Sequence, residues 1–234
     1  MRKRTKGGRA LELASLLGIR PGVTAVIGSG GKTSLLRALG RELAAPGRRT
    51  VLCTTTKIYP FPDVETLLCP SAEALGAALK RRALVCAGEP VPGTGKLTAP
   101  GLPMKLLAEL ADYVLVEADG SARRPLKAHA PWEPVIPPEA SRVICVTGVG
   151  GFGLPIREAA HRPERFAALA GCAPADAATP ENTARVLAAE NLAEVYLWNQ
   201  ADTPERWEWA RRAADALGRP SVAGSIQKGV LHPC

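Results

Sequence analysis

Gly28-Ser29-Gly30-Gly31-Lys32-Thr33-Ser34 follows the apolar run Val23-Thr24-Ala25-Val26-Ile27 and opens a segment with Leu35, Leu36, Leu39 and Leu43 at helical spacing. A strand, a glycine turn and a helix beginning at Lys-Thr leave few folds open. Glycines let the backbone curl so that several N–H groups face one phosphate. The helix start adds its positive dipole end, and Lys32 adds a full charge. Thr33 can offer a hydroxyl to Mg2+. The usual spacing, G-x-x-x-x-G-K-[ST], would place its first glycine at position 26. Val26 stands there, so the loop is the shorter form G-x-x-G-K-T.

The remaining chain alternates short apolar strands with longer helical patterns. Strands are expected at 23–27, 50–54, 84–87, 113–116, 143–146, 195–198 and 221–223. Helices are expected at 9–17, 32–44, 71–80, 104–111, 163–169, 179–189 and 204–217, and residues 89–103 read as a long loop. This alternation implies an α/β fold, a P-loop NTPase-like three-layer sandwich with a mainly parallel sheet of about 6–7 strands. With 234 residues, one nucleotide-binding domain (1–234) with a sizeable core is expected. A basic N-terminal tip (1–9) and a helical insertion (150–190) complete that organisation.

Hydrophobic residues make up 46% of the chain and charged residues 22%, ordinary values for a soluble domain. No apolar run approaches the roughly 18 residues of a membrane span. The basic N-terminus lacks a following signal-like apolar segment, so a cytoplasmic protein is expected. The net charge of +8 favours anionic partners. Aromatic residues do not interleave the basic segments, so nucleic acid is not the expected partner. None of the six cysteines forms a C-x-x-C pair. Cys53, Cys86 and Cys145 lie in strand-like runs, where they read as small buried hydrophobes.

Ligands of open parallel sheets bind at the carboxyl ends of strands. Tyr113-Val114-Leu115-Val116 ends in Glu117-Ala118-Asp119-Gly120, so Glu117 and Asp119 emerge beside the phosphate loop. One of the pair suits Mg2+, and the other suits the orientation of an attacking water or hydroxyl. Thr55, Thr56 and Lys57 follow the strand at 50–54 and suit a γ-phosphate or Mg2+. Trp198-Asn199-Gln200-Ala201-Asp202 resembles the guanine-reading N-K-x-D signature with Gln200 in place of Lys. Asn199 and Asp202 are therefore base-side candidates, and ATP and GTP both stay open as the nucleotide. Ser121, Arg123, Arg124 and Lys127 suit the anionic part of a second substrate, with His161 and Arg162 as further candidates.

The blocks G-S-G-G-K-T-S, T-T-T-K-I-Y, V-E-A-D-G-S-A-R-R-P-L-K-A-H-A-P-W-E-P-V-I-P, H-R-P-E and W-N-Q-A-D occur in order between about residues 10 and 225. Together they resemble the YqeC family, accessory proteins of selenium-dependent molybdenum hydroxylases. The resemblance implies a part in making or inserting a selenium-containing molybdenum cofactor. It implies nucleotide phosphates at Gly28–Thr33, with Ser34 beside them, Mg2+ at Thr33 and Glu117, and catalytic support from Lys32 and Asp119. Its implied partners are a nucleoside triphosphate and a molybdenum hydroxylase or its cofactor-loading proteins. A homodimer is compatible with it. The short loop also has the spacing of Mur-type ligases, which keeps a small-molecule kinase or ligase open. A non-catalytic module switched by nucleotide is the third reading.

Overall fold

A computed structural model describes residues 12–234. The basic tip 1–9 lies outside the described residues, as do residues 9–11 of the expected first helix. Its described part is α1 (Glu12–Leu16), whose Leu13 and Ala14 N–H groups donate to the carboxylate of Glu42. The first core strand is β1 (Gly22–Gly28), and α2 (Lys32–Ala44) follows the glycine turn. Next come β2 (Thr50–Thr54), β3 (Glu65–Leu68), α3 (Ala72–Arg81), β4 (Leu84–Val91), β5 (Lys96–Thr98), α4 (Met104–Leu110) and β6 (Tyr113–Glu117). The chain continues through β7 (Leu126–Lys127), β8 (Ala140–Gly148), α5 (Ile156–Ala159), β9 (Ala160–His161), α6 (Pro163–Ala170) and α7 (Pro180–Glu190). It ends with β10 (Val195–Asn199), α8 (Pro204–Leu217), β11 (Ser221–Ser225) and β12 (Val230–Pro233).

Ten strands form one sheet in the order β12-β11-β10-β8-β1-β6-β2-β4-β3, with β5 paired to β4. From β11 to β3 every neighbouring pair is parallel, and β12 and β5 add antiparallel edges. The seven expected strands are all present, and β3, β5 and β12 extend the sheet. These three are short and largely half-exposed or exposed, so they lack the continuous apolar run that marks a buried parallel strand. The expected loop at 89–103 is in part a hairpin, because β4 runs on to Val91 and pairs antiparallel with β5.

Period-two alternation divides the core. Val26, Leu52, Leu115, Ile144, Val146 and Leu197 face α1 and α2. Val23, Val51, Val85, Val114 and Val116 face α3 and α4. Ala25, Ile27, Val143, Tyr196 and Trp198 pack with α5 to α8. The result is a three-layer α/β sandwich with β1 near the middle of the sheet. The segment 150–190 is helical, and Phe152, Ile156, Phe166, Ala184, Val186 and Leu187 place it in the core on that face of the sheet. Thr179 starts α7 with a reciprocal capping box to Asn182, which fixes where the helix begins.

Candidate functional site

The glycine turn sits at the carboxyl end of β1, between β8 and β6. Gly30 has φ +75°, and a side chain there would collide with the backbone of Gly148 after β8. Gly31 has φ +130° and faces the amide of Asn199 after β10. Positive φ and close approach coincide at both, so the tight turn requires glycine. The loop is also tied from outside. Ser29 donates its N–H to the Val146 carbonyl (2.8 Å) and its hydroxyl to the Pro125 carbonyl (2.7 Å). Asn199 donates Nδ2 to the Gly30 carbonyl (2.7 Å) and accepts from the Ile226 N–H (3.0 Å). Both ends of its amide therefore brace the loop. α2 begins at Lys32 with no side-chain cap, so its first N–H groups are open to a ligand.

These groups border a cavity of about 810 Å³, lined on one side by Gly30, Gly31, Lys32, Thr33 and Ser34. Thr33 Oγ1 donates to Glu117 Oε2 at 2.8 Å, and both side chains line the cavity. Burial raises the Glu117 pKa, opposed by the Lys32 charge and the Thr33 hydrogen bond. Hydroxyl and carboxylate oxygens are the donors that Mg2+ prefers, with water and phosphate completing its shell. Among the described residues no three His, Cys, Asp or Glu side chains converge on a metal position. A protein-only metal cage is therefore not what this pair resembles.

Asp119 is fully buried and does not line the cavity. Its Oδ2 accepts the Gly28 N–H (2.8 Å) and lies 2.8 Å from His129 Nε2 and 3.1 Å from Lys127 Nζ. Oδ1 lies 3.1 Å from Lys32 Nζ. Burial alone would raise the Asp119 pKa. The His129 hydrogen bond and the Lys32 and Lys127 charges outweigh it, and the value falls to about 2. His129 Nδ1 in turn lies 2.7 Å from Glu190 Oε2 at the end of α7. Burial would lower the His129 pKa, but Asp119 and Glu190 together raise it. Lys32 Nζ also donates to the Gly28 carbonyl (2.7 Å) and to Ser121 Oγ (3.4 Å). The lysine thus bridges the buried carboxylate and the cavity.

The other expected site residues divide. Lys57, Ser121, Arg123, Arg124 and Asp202 line the cavity with Ser34. Thr55 and Thr56 do not line it. Thr55 Oγ1 donates to the Val135 carbonyl (2.7 Å), and the Thr56 N–H donates to Thr54 Oγ1 (2.9 Å). Lys127 is buried, with its ammonium held by Asp119, by Glu133 at 3.1 Å and by the Gly120 carbonyl. Arg162 Nε donates to Glu133 at 2.8 Å, and the guanidinium lies 5.4 Å from the centre of the exposed Trp132 ring. His161 pairs with Lys127 through β9 and β7, away from the cavity. Sequence reasoning missed His129, Glu133 and Glu190. The motif P-L-K-A-H-A-P-W-E marks the first two, whereas Glu190 closes an ordinary helix and carries no local signal. It also missed Tyr59, Lys96, Arg206 and Gln227 on the cavity wall.

A braced glycine loop, a lysine at its exit and a Thr–Glu pair in a cavity at the carboxyl edge of a parallel sheet define a P-loop type of nucleotide-binding α/β protein. The sequence model of the YqeC protein family matches residues 24–164, which span the phosphate loop, Glu117 and the whole buried network except Glu190. The chain belongs to the YqeC family. It is 35% identical over 161 residues to "Uncharacterized protein YqeC" of Escherichia coli (strain K12), covering 66% of this chain and 63% of that protein. The chain thus spans less than two thirds of that relative. Among solved structures it is similar to chloroplast FtsY from Physcomitrella patens, with a TM-score of 0.48 and 16% identity. That match covers 98% of this chain and 67% of the other. It is also similar to the hydrogenase maturation factor HypB from Archaeoglobus fulgidus, with a TM-score of 0.40 and 11% identity. There 94% of this chain and 87% of the other are covered. No described helix is long and apolar enough to cross a membrane.

Proposed function

We propose that the protein binds and hydrolyses a magnesium nucleoside triphosphate and uses the cycle as an accessory factor in maturing or inserting a selenium-containing molybdenum cofactor. The observation that carries the nucleotide part is the Thr33–Glu117 pair, 2.8 Å apart at the mouth of the braced loop. Thr33 and Glu117 would hold Mg2+, which supplies charge neutralisation at the phosphates. The open N–H groups at the start of α2 cradle the phosphate oxygens, and Lys32 balances their charge. A bound phosphate competes with Asp119 for the same ammonium. Asp119 therefore acts as a positioning residue, through Lys32 and the Gly28 N–H, rather than on a water in the cavity. The maturation part rests on membership of the YqeC family and on the resemblance described above. It carries with it a cytoplasmic setting and a hydroxylase-linked partner.

Base selection falls to Asp202, because Asn199 already has both amide ends engaged. Asp202 lines the cavity with Gln200, Arg206 and Gln227, on the β10 side of the loop. Calorimetry with Mg2+ and a panel of ATP, GTP and their diphosphates, on wild type and Asp202→Ala, tests this reading. Asp202→Ala is expected to reduce any preference between guanine and adenine nucleotides by about tenfold, or about 1.4 kcal/mol. An unchanged preference removes Asp202 from base reading, and failure of every nucleotide to bind removes the site.

A further inference from the structure

The cavity wall carries six cations, Lys32, Lys57, Lys96, Arg123, Arg124 and Arg206, against two carboxylates, Glu117 and Asp202. Lys32 is held by Asp119, and Arg206 lies 3.8 Å from Asp202. Arg124 donates to the Glu158 carbonyl, which leaves its charge unbalanced. Among the described residues Lys57, Lys96, Arg123 and Arg124 form no ion pair with a carboxylate. A triphosphate already neutralised in part by Mg2+, the α2 N–H groups and Lys32 leaves little charge for four more cations. Like charges gathered in one concavity repel one another unless an anion joins them.

Their placement is built into the fold. Ile58 and Leu97 form a two-way backbone bridge, at 3.0 and 2.8 Å, and both side chains are buried. Alternation along extended chain then turns their neighbours Lys57, Tyr59 and Lys96 to the opposite side, toward the cavity. Thr98 Oγ1 pins the same wall by donating to the Thr56 carbonyl (3.0 Å). Lys96 Nζ lies 5.1 Å from the centre of the half-exposed Tyr59 ring. Arg123 projects from a tight turn in which Ala122 (φ 48°) and Arg123 (φ 61°) are both left-handed, closed by the Arg124 N–H to the Ser121 carbonyl at 2.9 Å. Residues without glycine's freedom hold that turn, so the backbone that carries Arg123 is set at some conformational cost. By strand order, Asp202 after β10 lies on one side of the phosphate loop and Lys57 and Lys96 lie on the other.

We infer that the β2–β5 side of the cavity is a second ligand site. It takes a small, multiply charged phosphate-type anion at the same time as the nucleotide, held by Lys57, Lys96 and Arg123. The inference rests on the phosphate loop taking the nucleotide, and it adds a separate anion beyond the terminal phosphate. Pyrophosphate is the probe. It is titrated calorimetrically into the full chain saturated with Mg2+ and a non-hydrolysable ATP or GTP analogue. The expected result is saturable binding of one pyrophosphate, weakened about tenfold or more in Lys57→Ala/Lys96→Ala, equivalent to about 1.4 kcal/mol. Loss of pyrophosphate binding under saturating nucleotide means one shared site and overturns the inference. So does wild-type pyrophosphate affinity in the double variant. Saturable binding of a single-stranded oligonucleotide without pyrophosphate binding also overturns it, in favour of nucleic acid. If no nucleotide binds wild type, the nucleotide reading fails by itself. The nucleotide-free protein then decides the second site by the same double variant: weakened pyrophosphate binding supports it, and unchanged binding overturns it.

Discussion

Lys127, in the short strand β7, and Lys57, just after β2, are both lysines close to the phosphate loop. Lys127 is 4% exposed and meets Asp119, Glu133 and the Gly120 carbonyl. Lys57 is exposed on the cavity wall and meets no carboxylate among the described residues. The first belongs to a closed network in which Asp119 and His129, Lys127 and Glu133, and Glu133 and Arg162 answer each other's charges. The second belongs to a wall with more cations than carboxylates. A paired buried charge holds structure in place, whereas an unpaired exposed charge is available to a ligand. The same residue type thus serves the loop from behind in one place and faces the open cavity in the other.

The largest expected effect that sharpens this contrast is Asp119→Asn. It removes the charge shared by Lys32, Lys127 and His129 while keeping the shape. Breaking a buried pair of this kind costs roughly 3–5 kcal/mol. Urea unfolding measures it, and a loss below about 1 kcal/mol would show that the network is not structural. His129→Gln comes next, at roughly 1–3 kcal/mol, because it leaves buried partners of Asp119 and Glu190 incompletely bonded.

The same histidine sets a pH dependence. Its folded pKa is raised above the ordinary 6.5, so the stability it contributes is complete below that value and is lost as pH rises through the folded pKa. Unfolding free energies of wild type should therefore fall as pH rises above the ordinary histidine pKa of 6.5, and those of His129→Gln should be flatter. At higher pH the buried Cys53 and Cys145 thiols, whose pKa burial raises, add their own decline. A wild-type profile as flat as the variant's breaks the proposed ion pairing. The smallest effect belongs to the open wall: Lys57→Ala should change stability by no more than about 0.5 kcal/mol. A large loss there would erase the distinction between the two regions.

The sheet was legible because its parallel strands are buried on both faces and read as short apolar runs, from 23–27 to 221–223. The edge strands β3, β5 and β12 were not, since exposed pairing leaves no apolar pattern in the sequence. The phosphate loop and Glu117 were legible because their chemistry is local: glycines, Lys-Thr, and a carboxylate at a strand end. The distinction between Lys127 and Lys57 was not. It depends on Asp119, Glu133 and the Ile58–Leu97 bridge, partners that only the folded chain brings near. Glu190 shows the same limit, 61 residues from the His129 it holds. Asn199 fitted a base-reading motif by type, and its amide instead closes on Gly30 and Ile226.

The most direct test of the central claim is a calorimetric titration of wild type, Lys32→Ala and Glu117→Gln with ATP and GTP, with and without Mg2+. Circular dichroism alongside establishes that each variant is folded. The account predicts a Mg2+-dependent affinity for at least one nucleotide in wild type. That affinity should fall about tenfold or more in Lys32→Ala, at least about 1.4 kcal/mol, and should lose most of its Mg2+ dependence in Glu117→Gln. Wild-type affinity in folded Lys32→Ala, or undiminished Mg2+ dependence in Glu117→Gln, would contradict it.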